Sequence, residues 1–307
     1  MSTYKDRKKL SIFQVAGMFP DDDTAEQWFI ETRWPNGVEC PACGSEKVSE
    51  RTTKKKSWRC KSCRKDFSTK TATLMQGSNL GFRKWALAIY LLTTSLKGIA
   101  STKLASDLDI TQKSAWHLAM RIRETYMDNT KPMTGEVEVD ETYMGGKERN
   151  KHSNKKLKAG RGAVGKTAVI GVKQRGGKIK AQPIARTDSH TLQNFVKETV
   201  VETSKVYTDE HRGYIGLDAW YQHQAVKHSV GEYVKDMAHT NGIESFWAGL
   251  KRGYIGTHHH MSPKHLNRYV NEFAGRFNDR QSDTVEQMKH IAISMVGTQL
   301  RYKDLVA

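Results

Sequence analysis

The sequence lacks any apolar run long enough to cross a membrane. The longest, WALAIYLL from Trp85 to Leu92, falls far short of the roughly 20 residues that a spanning helix needs. The opening residues, MSTYKDRKKLSIFQ, have no apolar core of the kind a secretory leader carries, and the chain reads as cytoplasmic. Cysteine is scarce too, with four in 307 residues. In a reducing compartment so few thiols do not form structural disulfides, which leaves metal ligation or inert burial. The third shortage is of acids. Thirty-three Asp and Glu stand against 50 Lys and Arg, a formal net charge of +17 with a pI near 9.6. An excess of this size favours a polyanionic partner, and with the membrane set aside that partner is nucleic acid. With 37% apolar residues the chain can still bury an ordinary core, and its length allows two domains or one with appendages.

The four cysteines fall as Cys40, Cys43, Cys60 and Cys63, two CxxC pairs with sixteen residues between them. This is the spacing of a zinc ribbon: each pair turns two thiolates toward one tetrahedral ion, and Gly44 eases the first turn. A ribbon alone does not say what it binds. Its setting does, because Arg51 to Lys70 holds nine Lys or Arg against one Asp, with Trp58 and Phe67 interleaved, a composition suited to phosphates.

From Gly81 to Tyr126 the apolar spacing becomes helical. FRKWALAIYLLTTSLKG reads as one helix, and STKLASDLDITQKSAWHLAMRIRETY breaks into two around Asp109, Ile110 and Thr111. The pair resembles a helix-turn-helix whose second helix starts near Thr111 and offers Lys113, His117, Arg121 and Arg123 to DNA. Helix pairs with short turns also occur in purely structural cores.

GRGAVGKT, from Gly160 to Thr167, matches the phosphate-binding loop of nucleotide hydrolases. That motif needs a strand before it and a helix after it. Here the polar KERNKHSNKKLKA precedes it. On its other side TAVIGVKQRGGKIKAQPIA forms two β-rich runs around Gly176 and Gly177, which signal a hairpin. The reading is a glycine-bearing lead into a strand, with no nucleotide cofactor. It closes a loop rich in Lys155, Lys156, Lys158 and Arg161 that suits a DNA backbone.

In a chain so basic, GEVEVDETYMGG stands out by packing Glu136, Glu138, Asp140 and Glu141 into six residues. Taken as a first strand, it opens the order β-β-β-α-β-α-β-α, that of an RNase H-like domain with a mixed sheet. Asp140 then falls at the end of the first strand, Asp209 at the end of the fourth, and Glu244 on the helix after the fifth. Such a trio suits phosphodiester chemistry. Two divalent ions activate the attacking oxygen and stabilise the leaving one, and hard cations such as Mg²⁺ or Mn²⁺ take carboxylate ligands and relieve their repulsion. Strand parity sets Val137 and Val139 on one face and Glu138 and Asp140 on the other, with Glu141 turned toward the valines if the strand runs on. The bland alternatives are local: Asp209 capping a turn, and Glu244 closing a capping box with Asn241.

These segments, with RWPNGVECPACGS, VYTDEHRGY and HTNGIESFWAGLKRGYIGTHHHMSPKHLNRYVNEFAGRFN, resemble the zinc-ribbon DDE transposases of small bacterial insertion sequences across nearly the whole chain. The resemblance implies an α/β fold with a metal-binding triad of Asp140, Asp209 and Glu244, a DNA contact from Lys251, and a homo-oligomer working on double-stranded DNA. It leaves a smaller role open for Asn241, since some relatives use asparagine as the third group. The expected organisation is a helical segment over 1–35, a zinc ribbon over 36–72, the helix-turn-helix-like segment over 80–128, the catalytic domain over 133–281 and a C-terminal helix over 282–307. The tail helices SPKHLNRYVNEFAGRFNDR and SDTVEQMKHIAISMV are both expected to close the catalytic domain. His258, His259 and His260 cannot all face one ion in a regular element, so they read as a loop with one or two near phosphate. The function expected is binding of the element's inverted repeats, strand cleavage and strand transfer. Its rivals are a regulator that has kept only DNA binding, and an RNase H-like nuclease. An intact trio of acids speaks against the first, and joining activity separates the second.

Overall fold

The computed structural model describes residues 7–52, 56–127, 132–146, 148–157, 162–226 and 239–307, leaving aside the side chains of Arg149 and Lys155. The chain divides into two units, Met1–Tyr126 with Gln281–Ala307, and Met127–Arg280. No helix among the described residues is long and apolar enough to cross a membrane.

The first unit begins with α1 (Ile12–Met18), started by a capping box between Ser11 and Gln14, and α2 (Asp22–Arg33). The Asp21 carboxylate accepts the N–H of Thr24, with Asp22 and Asp23 at the positive end of the helix and Arg33 at the negative end. Three short strands follow, β1 (Val48–Glu50), β2 (Ser57–Cys60) and β3 (Asp66–Ser68), in one antiparallel sheet. Trp58 and Phe67 stack at 5.8 Å and meet Trp34, and with Ile30, Cys40 and Cys60 they form a single apolar cluster. The ribbon's core is therefore shared with the end of α2. Beyond it, α3 (Phe82–Thr94) buries Trp85, Ala86, Ile89 and Leu92. The pair α4 (Ser101–Leu108) and α5 (Gln112–Glu124) is broken where expected: Asp109 takes a left-handed conformation, φ 49°, and Thr111 caps α5.

In the second unit the strands are β4 (Glu136–Met144), β5 (Thr167–Gln174), β6 (Ile179–Ile184), β7 (Lys205–Thr208) and β8 (Gln222–Ala225). Their order is β6-β5-β4-β7-β8, antiparallel through β6, β5 and β4 and parallel through β4, β7 and β8. This is the mixed sheet of the RNase H-like fold. One face, with Val137, Val139, Ile170 and Val172, packs on Leu192, Phe195 and Val196 of α6 (Ser189–Thr199). Helix α7 (Asn241–Gly253) lies against β4 and β5, and α8 (Leu266–Asn278) against β6, where the Asn278 amide brackets the backbone of Ile179.

The short helical piece between β7 and β8 is there as two single 3-10 turns, Arg212–Tyr214 and Leu217–Ala219. Two expectations change. Strand β4 does not end at Asp140; it continues to Met144 along β5, while its parallel partner β7 stops at Thr208. Of the two tail helices, α8 packs in the second unit, but α9 (Thr284–Ser294) packs on α2 and α3 of the first, followed by α10 (Tyr302–Val306). As for GRGAVGKT, its described part is a turn that runs directly into β5, so no helix follows it.

Candidate functional site

Four cysteines converge in the first unit. Their sulfurs lie within 4.8 Å of one another, with Cys40 to Cys63 and Cys43 to Cys60 each at 3.6 Å. A disulfide needs about 2.05 Å, whereas a tetrahedral ion with Zn–S bonds of about 2.3 Å spaces its sulfurs about 3.8 Å apart. The geometry fits zinc. Backbone N–H groups of Cys63 and Ser62 hold the Cys60 thiol down to about 6, toward the thiolate that binds metal.

The acids gather on the second unit's sheet. Parallel pairing of β4 with β7 sets Glu138 beside Tyr207, and two residues further along the same register Asp140 stands level with Asp209, just past the end of β7. Burial first, then the charges of Glu141, Asp209 and Glu244, push the Asp140 carboxyl up to about 7. Among the described residues only the cysteines bring three or more ligand atoms within 4.8 Å, so the acids are more widely spread than a closed single-ion cage. The donors are all oxygens and repel one another, which fits hard divalent cations.

Glu244 is exposed in the first turn of α7, where it accepts a hydrogen bond from the Thr240 hydroxyl at 3.0 Å. Asn241 is exposed at the start of the same helix, and Lys251 in its last turn. Glu141 obeys strand parity. It turns away from α7, accepts the Tyr214 hydroxyl at 2.6 Å and lies 3.8 Å from His211, while burial and the Asp209 charge raise its carboxyl above the usual range. Glu138 differs from the expectation that it merely borders the metal side. It is 1% exposed, accepts the N–H of Ile243 at 2.8 Å and pairs with Arg175 at 3.3 Å. Arg175 also donates to Glu136 and to the His239 carbonyl.

The helix-turn-helix reading needs correction at α5. Arg121 is 7% exposed and donates to the Leu300 carbonyl at 3.0 Å, Arg123 is 2% exposed, and His117 packs on Tyr302. The C-terminal segment covers the face expected to meet DNA, so Arg121 is not a surface contact. Lys113 is exposed, its ammonium over the Tyr302 ring at 4.6 Å. Lys156 is exposed in its loop; Lys158 and Arg161 lie outside the described residues, as does the side chain of Lys155. The histidines diverge: His258 packs on Tyr269 while His259 and His260 are exposed.

Sequence reasoning missed Trp247, whose Nε1–H donates to Asp140, as well as Arg175 and Tyr214. A signal existed for the first. Gly171 interrupts the apolar run of β5, and a glycine inside a strand often marks a close approach.

A mixed α/β sheet with acids at or just past its central strands, joined in one chain to a four-cysteine ribbon, is the architecture expected of a zinc-ribbon transposase. Comparison with known proteins agrees. Residues 132–278 match the ISXO2-like transposase domain and residues 20–66 the transposase zinc-ribbon domain. An uncharacterized protein in transposable element ISH50 of Halobacterium salinarum is 30% identical over 274 residues, covering 83% of this chain and 90% of that protein. The chain belongs to the family of ISXO2-like transposases. A solved structure, the Mos1 strand transfer complex, aligns with 70% of this chain and 79% of its own at 9% identity and a TM-score of 0.30, too distant to inform the site.

Proposed function

We propose that this transposase binds the ends of its element, cleaves a strand at each and joins the freed 3′-hydroxyl to target DNA, with Asp140, Asp209 and Glu244 as ligands for divalent cations. The observation that carries the reading is the gathering of repelling acids about Asp140, whose carboxyl is pushed up to about 7. A divalent cation there would relieve both the burial and the mutual repulsion that now favour the protonated carboxyl. Bound there, two such ions would activate the attacking oxygen and stabilise the leaving one. The chain's own part is to hold the acids on β4, just past the end of β7 and on α7, and to offer lysines to phosphate. Lys251 shares α7 with Glu244 and is exposed; Lys156 with Lys155, Lys158 and Arg161, and Lys113 on the first unit, supply further positive charge. Zinc in the ribbon completes the metal content, and assembly as a homo-oligomer on DNA is part of the proposal.

The test is joining of a labelled element end in Mg²⁺ or Mn²⁺, with a gel shift for binding. Asp140→Ala, Asp209→Ala and Glu244→Ala should each abolish joining and leave binding intact or slightly tighter. Joining that survives all three substitutions would overturn the reading.

A further inference from the structure

Asp140 is held by a residue outside the trio. The indole Nε1–H of Trp247 donates to Asp140 Oδ2 at 3.0 Å, across 107 positions of sequence. Trp247 follows Glu244 by three on α7, and its ring is 3% exposed against the sheet. Beneath that ring is Gly171, the β5 residue paired with Asp140. A Cβ at Gly171 would stand 2.7 Å from ring atoms Cη2 and Cζ2 and 3.1 Å from Ile243 Cδ1. Real side-chain carbons do not approach so closely, and an indole cannot bend out of the way. Glycine within a strand weakens it, so this position gives up local stability for the ring's seat.

We propose that Trp247, seated on Gly171, is a positioning residue that fixes the Asp140 carboxylate for cation binding. The inference rests on the reading of Asp140 as a metal ligand. An indole N–H only donates, so it orients the carboxylate without competing with it for a cation, as the partners of metal ligands commonly do. It also joins the helix that carries Glu244 to the strand that carries Asp140, so that two of the three acids share one rigid link. The competing explanation is that a buried indole needs a hydrogen-bond partner and Asp140 merely supplies it.

The two explanations part at Trp247→Phe, which keeps an aromatic ring on Gly171 and removes the donor. Mn²⁺ binding to the full-length, zinc-loaded protein, followed by the electron paramagnetic resonance of the free ion, should weaken by about 10–100-fold, with the unfolding midpoint near that of the parent. Gly171→Ala keeps the indole but displaces it, and should weaken Mn²⁺ binding in the same direction. Asp140→Ala serves as the reference. If Asp140→Ala loses Mn²⁺ binding while Trp247→Phe and Gly171→Ala bind it as the parent does, the positioning role is wrong and the acid site stands. If Asp140→Ala itself binds Mn²⁺ as well as the parent, the acid-site reading fails and takes this inference with it.

Discussion

Glu138 and Asp140 point the same way from β4, yet their surroundings give them different tasks. Asp140 is only partly covered and faces other acids, whereas Glu138 is sealed between Arg175 and the first turn of α7. Gly242 permits the approach, since a Cβ there would stand 2.6 Å from Glu138 Oε2. Glu138 thus anchors the helix that carries Glu244, with its charge balanced by the Arg175 guanidinium. Removing one partner of a buried pair strands the other, at a cost of about 3–5 kcal/mol. Glu138→Ala should therefore lower the unfolding free energy of the full chain by that order, and with it the denaturant midpoint, and Glu138→Gln, which still accepts the Ile243 amide, should lose less. Urea unfolding of the two variants checks this; a Glu138→Ala protein as stable as the parent would show that the pair is not structural. Parity makes the direction of Glu138 legible in the sequence. Its partners are not, because Arg175 and Ile243 lie 37 and 105 positions away and nothing local encodes such a meeting.

At the scale of elements, local chemistry is legible in the sequence and the choice of neighbour is not. The CxxC pairs, the hairpin at Gly176 and the break at Asp109 all depend on spacing or on turn residues, and the structure has them in those places. An amphipathic helix announces an apolar face without naming what it meets. That is why α9 reads as the close of the catalytic domain when its face packs on α2 and α3, and why Arg121 reads as a DNA contact when the Leu300 carbonyl waits beside it. The same limit touches the ribbon, whose apolar cluster includes Ile30 and Trp34 from the α2 end. Structural zinc supplies folding free energy directly, so its loss should spread past the cysteines. Cys60→Ser, or a strong chelator, should release one zinc per chain and change the fluorescence of both Trp34 and Trp58, while the α/β unit keeps its cooperative unfolding. Elemental analysis and emission spectra provide the measurement, and a native protein that carries no zinc would refute the assignment.

For the molecule as a whole, the charge excess is what first points to nucleic acid, and it is not spread evenly. Lys147 to Lys180 holds twelve Lys or Arg against one acid, and this run leads from β4, which carries Asp140, through β5, which carries Gly171 opposite it. Some of this charge is paired within the fold, Arg175 with Glu136 and Glu138 and Lys151 with Glu148, but one acid within the run cannot balance twelve basic groups, and the excess repels itself. That excess is accommodated if the lysines meet a phosphate backbone, which carries no sequence information but sets register and affinity. Each phosphate neutralised releases condensed counterions, so the slope of log K against log salt counts the contacts, at about 0.9 per contact on duplex DNA. Neutralising Lys155, Lys156 and Lys158 together should weaken binding to element ends and to unrelated DNA by the same factor, and should reduce the slope by up to about 2.7. Base-specific contacts would behave otherwise: their loss lowers affinity for the element ends alone and leaves the slope nearly unchanged. Titrations of both DNAs at several salt concentrations separate the two, and an unaltered slope would mean that these lysines are solvated and that the phosphate contacts lie elsewhere on the chain.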